Sequence, residues 1–165
     1  MVETYFTSDH HFGNKNILEY EKKTRPFESI EEMNEQLVTN WNETVKQNDI
    51  VFYLGDFAFG ATNIAIADKL HGDKRLIMGN HDNCSLDLYL RHFQKVFGVF
   101  YWKKCILTHI PIHPAHFGRY CLNVHGHLHS KEVQCGDERY FNVSVERHNL
   151  RPVHSSVLLE RIKQI

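Results

Sequence analysis

Aspartate, asparagine and histidine gather in five short clusters along this chain: Asp9-His10-His11, Gly55-Asp56, Gly79-Asn80-His81-Asp82, Thr108-His109 and Gly126-His127-Leu128-His129. They offer oxygen and imidazole nitrogen and no thiolate, a donor set that suits Mn, Fe, Zn or Ni better than copper(I) or an iron–sulfur cluster. Thirteen histidines in 165 residues are more than a solvated surface or an apolar core requires. In Asp9-x-His11 and His127-x-His129 the spacing of two puts both side chains on one face of an extended segment, with His10 on the other. Chemistry that such donors could serve is phosphate-ester hydrolysis, which needs a deprotonated water, relief of charge on the phosphoryl oxygens and a proton for the leaving group. Two metals about 3.5–4 Å apart meet the first two needs, sharing a hydroxide whose pKa falls from 15.7 toward roughly 7.

Something must bring the five clusters together, and the flanking sequence suggests what. Residues 2–7 read as a strand that gives way to the first cluster, and the near-continuous apolar run Asp49 to Leu54 reads as a strand buried on both faces that runs into Gly55-Asp56. Arg75 to Met78 reads as a strand ending in Gly79-Asn80-His81-Asp82, and further strands are expected at 95–101, 104–108 and 120–125, the last two ending in His109 and in Gly126-His127-Leu128-His129. Between them the segment from Ser29 opens with the capping box Ser29-x-x-Glu32 and spaces Ile30, Met33, Leu37, Trp41 and Val45 as one helical stripe. Residues 62–71 and 86–92 also read as helical, and 140–165 as closing strands followed by a short amphipathic helix. Strands alternating with helices predict an α/β layered fold, in which ligands collect where loops leave the carboxyl ends of strands.

Composition narrows the function classes. The length predicts one domain over 1–165, and the apolar fraction of 42% with 24% charged residues is that of a globular protein. No stretch is apolar enough to span a bilayer, and the N-terminus lacks the pattern of a signal peptide, so a cytoplasmic location is expected. Cys84, Cys105, Cys121 and Cys135 form no C-x-x-C pair and are expected to be buried free thiols. A net charge of −1 disfavours a surface that holds long nucleic acid, which calls for clustered Lys and Arg.

Taken singly, Gly-Asp or a lone His is ordinarily structural; the order of the whole set is what is specific. D-x-H, G-D, G-N-H-D, a lone H after a strand and G-H-x-H, spread over residues 9 to 129, resemble the calcineurin-like metallophosphoesterase superfamily, and the length and the Gly-Asp-Phe-Ala-Phe-Gly stretch resemble its small phage and bacterial members. The resemblance implies an α-β-β-α sandwich of two mixed sheets flanked by helices. It implies two divalent transition-metal ions per chain, manganese first, with iron, zinc or nickel as alternatives. One ion would take Asp9, His11 and His129 and the other Asn80, His109 and His127, with Asp56 bridging. His81 is implied as general acid, with Asp82 a candidate to orient it. One departure is Phe59, which stands where the family often has a second carboxylate in G-D-x-x-D.

Around these residues Arg25 could bind a phosphate oxygen bidentately or simply pack on Phe27. Asn14 and Asn16 could donate to substrate or serve as turn residues, and His113, His116 and Arg119 lie in a loop long enough to line a pocket. The expected activity is hydrolysis of small phosphodiesters or nucleotides by direct attack of a metal-bridging hydroxide. The alternatives are a phosphomonoesterase and a non-catalytic metal-binding scaffold of the same fold.

Overall fold

The computed structural model describes residues 1–134 and 136–165. Sheet one follows from short apolar runs: β1 (Thr4–Thr7), β2 (Ile50–Tyr53), β3 (Asp73–Ile77) and β4 (Lys95–Phe97) lie side by side in parallel, in the order β4-β3-β2-β1. Their side chains alternate between two cores. Val51, Tyr53 and Leu76 join one cluster, while Phe6, Phe52, Leu54 and Ile77 join the other, which is why β2 reads as apolar throughout.

Four helical stretches occupy the first cluster's side. The short helix α1 (Ile17–Tyr20) leads to α2 (Ile30–Thr44), whose N-cap Ser29 accepts a hydrogen bond from the Glu32 N–H at 3.1 Å, as the capping box requires. Its stripe of Ile30, Met33, Leu37 and Trp41 is buried against sheet one. A helical turn α3 (Ala61–Ile64) with its 3-10 extension to Lys69, and α4 (Leu86–His92), complete that layer.

The second sheet has the order β5-β6-β7-β8, from β5 (Phe100–Trp102), β6 (Cys105–Leu107), β7 (Leu122–His125) and β8 (Tyr140–Asn142); β5 is antiparallel and the others parallel. Leu107, Leu122 and Val124 meet Phe6, Phe52 and Leu54 between the two sheets. The chain returns through β9 (Val153–His154), antiparallel to β1, and α5 (Ser155–Gln164) adds Leu158 and Ile162 to that inner core. On the outer face of the second sheet, Asn123 and Tyr140 bond to the backbone of Ile112. The fold is α/β: two mixed sheets flanked by helices.

One expectation needs correcting. The single strand expected over 95–101 is two strands in two sheets, because the chain turns at Gly98-Val99 and crosses from the edge of one sheet to the edge of the other. The free thiols are also less uniform than expected: Cys105 is buried, Cys84 and Cys121 are half-buried, and Cys135 lies outside the described residues. No helix among the described residues is long and apolar enough to cross a membrane.

Candidate metal centre and active site

Five strands end at the same side of the molecule, and each hands its cluster to that side: β1 to Asp9, β2 to Asp56, β3 to Asn80, β6 to His109 and β7 to His127. The local backbone differs from the extended geometry expected of the two x-spaced pairs. Asp9, His11, Asp56, His127 and His129 all have positive φ, between 52° and 69°, a left-handed conformation that costs a non-glycine residue energy and concentrates at functional sites. The alternation still turns His10 away from its neighbours. It lies buried behind them, its Nδ1 2.8 Å from the Tyr53 hydroxyl.

The loops can approach this closely because two glycines lack a side chain. A Cβ on Gly79 would collide with the Asp56 carboxylate, and one on Gly126 would sit 2.5 Å from Asp9 Oδ2. Asp82 fastens the same loops: its carboxylate accepts from the N–H groups of Asp56 (2.8 Å), Phe57 (3.0 Å) and Gly79 (2.8 Å). That occupies Asp82 with the backbone and corrects the expectation that it orients His81.

The ligand-type atoms fall into two groups, Asp9 with His11 and His129, and Asp56 with His109 and His127; within each group they lie within 4.8 Å of one another. Asn80 joins the second group through its Oδ1, 2.9 Å from His109 Nε2. The groups meet at Asp56, whose Oδ2 is 3.6 Å from His11 Nε2 and 3.3 Å from His109 Nε2. Its other oxygen accepts the His81 N–H at 2.9 Å.

These residues meet the requirements of a cation site. His109 Nδ1 lies 2.7 Å from the Leu54 carbonyl and His129 Nδ1 lies 2.9 Å from Glu146 Oε1, so each imidazole directs Nδ1–H at an acceptor and keeps Nε2 as the donor atom, as metal-binding histidines do. His109 Nε2 then faces two acceptor oxygens, an arrangement that calls for a positive charge between them. Both ring nitrogens of buried His11 lack a hydrogen-bond partner, and burial pushes that imidazole down to about 3. Burial acts against a charged His109 as well, but the contact with Asp56 and the charge of Asp9 outweigh it and push His109 up to about 8. For Asp56, burial is outweighed by His109 and the His81 N–H, and the carboxyl sits at about 2.

Behind the first group lies a layer of side chains that no short motif marks. Asp9 Oδ2 accepts the hydroxyls of Ser8 (2.5 Å) and Ser144 (2.8 Å). Glu146, on which His129 rests, is bound by Arg25 through Nε at 2.8 Å and Nη2 at 2.6 Å. Burial would raise the Glu146 carboxyl, yet Arg25 and His129 hold it at about 2. The sequence carried little sign of Ser144 or Glu146: one is a polar position within the alternating Phe141-x-Val143-x-Val145 run and the other follows it.

Arg25 itself needs correction as a substrate-binding candidate. Its side chain is fully buried, and besides Glu146 it donates to the carbonyls of His10 and Asp9, so its planar fork organises the first cluster from behind. Asn14 and Asn16 form a local turn, the Asn16 N–H donating to Asn14 Oδ1. His113, His116 and Arg119 are exposed and engage one another's segment: His113 Nδ1 accepts the Ala115 N–H, its ring lies near that of His116, and Arg119 packs on Tyr120. His81 is exposed, its ring 4.9 Å from Phe59 and 5.6 Å from His11, so the aromatic at position 59 packs against it.

A strand-end site of paired carboxylates and imidazoles on two mixed sheets defines a metallophosphoesterase architecture. The model of the calcineurin-like phosphoesterase family matches residues 3–161, and the chain belongs to that family, whose members use divalent metals. An uncharacterized protein of Methanocaldococcus jannaschii is 33% identical over 183 residues, covering 99% of this chain and 93% of its own length. The Gene 66 protein of Mycobacterium phage L5 is 38% identical over 88 residues, covering 50% of this chain and 41% of the phage protein. Among solved structures, a protein of unknown function from Aquifex aeolicus superposes with a TM-score of 0.77 at 23% identity, over 97% of this chain and 99% of that one; that likeness bears on the fold.

Proposed function

We propose that residues 1–165 form one metallophosphoesterase domain that hydrolyses small phosphodiesters or nucleotides in the cytoplasm, with two divalent metal ions, manganese first. The observation that carries this reading is the position of Asp56 Oδ2 between His11 Nε2 and His109 Nε2, which lets one carboxylate serve both groups. Asp9, His11 and His129 would hold one ion and Asn80, His109 and His127 the other. Ions bound there would withdraw charge from the phosphoryl oxygens and lower the pKa of the attacking water.

The chain's own residues supply the rest. Asp9 and Asp56 are fixed by hydroxyl and backbone donors, so the carboxylates do not reorganise during reaction. His81, tethered through its N–H to Asp56 and leaning on Phe59, protonates the departing oxygen from the open side of the site. Replacing it with Ala should keep both ions bound and cost roughly 10²–10⁴ in rate on alkyl esters, with a much smaller loss on 4-nitrophenyl esters, whose leaving group scarcely needs a proton. Equal losses on both would remove His81 from that role.

Diester preference is tested by comparing bis-4-nitrophenyl phosphate with 4-nitrophenyl phosphate on manganese-loaded protein. A faster diester supports the reading; a much faster monoester replaces it with a phosphomonoesterase. Fewer than two ions per chain and no turnover would point to a non-catalytic scaffold.

A further inference from the structure

Beside the two ligand groups a cleft of about 400 Å³ opens between α1 and the turn that follows β7, within the range of roughly 300–1,000 Å³ typical of small-molecule sites. His127 and His129 form its inner wall, so it touches both groups at once. Ile17 and Leu128 make an apolar floor, and Tyr20 and Lys131 stand at the rim. Tyr20 is 78% exposed, a large aromatic ring that adds nothing to either core.

The walls are tied to each other. Buried Glu21, next to Tyr20, accepts the Ser130 hydroxyl on Oε1 at 3.2 Å, which links α1 to the turn, and the Thr24 hydroxyl on Oε2 at 2.8 Å. Lys131 has its N–H on the Leu128 carbonyl and its own carbonyl on Asn142. Its ammonium is exposed and makes no ion pair among the described residues.

We propose that this cleft is the subsite for the organic part of the substrate and that it selects nucleoside phosphoesters: the base stacks on Tyr20 over Ile17 and Leu128, and Lys131 pairs with a phosphate oxygen. This rests on the phosphoesterase reading above. Aromatic rings stack on any base face, and such a contact is commonly worth about a tenfold or greater change in affinity. A cleft without an aromatic rim would take an alkyl ester equally well.

The test uses manganese-loaded protein and two esters with the same leaving group, thymidine 5′-(4-nitrophenyl phosphate) and methyl 4-nitrophenyl phosphate. The nucleoside ester is expected to lead by about tenfold or more in kcat/KM. Tyr20→Ala should shrink that lead by about tenfold, chiefly through KM, and Tyr20→Phe should restore it. Lys131→Met should raise KM for the nucleoside ester and weaken its dependence on salt. Equal kcat/KM for the two esters, or a lead untouched in Tyr20→Ala, overturns the subsite while leaving the phosphoesterase reading in place. If neither ester is turned over, the diesterase reading fails, and the subsite is then judged by binding of thymidine 5′-monophosphate to metal-free protein: perturbed Tyr20 ring resonances support it, and unperturbed ones overturn it.

Discussion

The two ligand groups are built from the same residue types and held in different ways. Asp9, His11 and His129 are backed by side chains, most of them from distant parts of the chain: adjacent Ser8 and distant Ser144 on Asp9, Glu146 on His129, and Arg25 on Glu146. Asp56 and His109 are backed mainly by main chain, through the His81 N–H, the Leu54 carbonyl and the loop fastened by Asp82. One group depends on a buried polar network, in which every partner must be present. The other depends on loop shape, which local sequence sets. Substitutions should therefore separate them.

The largest effect belongs to the residue they share. Asp56→Asn should cost more in metal affinity and rate than the about 10–100-fold typical of a residue one shell further out, and titration with Mn(II) should show both binding steps weakened; loss of one step alone would mean that Asp56 serves a single group. Next comes Glu146→Gln, which keeps the shape but removes the charge that His129 and Arg25 contact. It should weaken the first group by about 10–100-fold and spare the second, seen as one displaced step in the same titration. Asp82→Ala works on the opposite side. It strands three N–H groups, of which the two on Asp56 and Phe57 are buried and worth about 1–3 kcal/mol each when unpaired, and should lower the melting temperature markedly while displacing the second group's step.

The smallest effect is one of pH on the metal-free protein. His10, behind the first group, is kept neutral by burial and sits at about 3 against an ordinary 6.5. Because its folded pKa is depressed, the unfolded chain takes up a proton below 6.5 that the folded chain refuses. Stability present above pH 6.5 is thus lost as pH falls toward 3, by about 2 kcal/mol at pH 5 for this one group. His10→Gln should flatten the fall in melting temperature between pH 7 and pH 5 relative to the unmodified chain; parallel curves would place the titration elsewhere.

The same contrast explains what could be read without the structure. Much of the second group was legible because Gly55 and Gly79 lie inside its own clusters and each strand announces itself by an apolar run, although Asp82 did not show as the anchor of Asp56 and Phe57, 26 and 25 residues before it. The ligands of the first group were legible, but their supports were not. Ser144 lies 135 residues from Asp9, with Glu146 two residues further on, and only the return of the chain between β8 and β9 brings both behind it to meet Arg25. Arg25 drew notice as a cation near the first cluster, but nothing local could say whether it faced the cleft or the core. The break at Gly98-Val99 was hidden similarly, since an apolar run does not reveal a change of sheet. Tyr20 and Lys131 had no periodic or motif signal at all; they matter only because α1 and the turn after β7 come to face each other.

One carboxylate oxygen of Asp56 stands between the two ligand groups, and electron paramagnetic resonance of the Mn(II)-reconstituted protein tests most directly whether it bridges two ions. Two ions per chain with an exchange-coupled spectrum, replaced by an uncoupled signal in Asp56→Asn, is the predicted result. A single ion per chain, or two ions that are magnetically isolated in the unmodified protein, would contradict it.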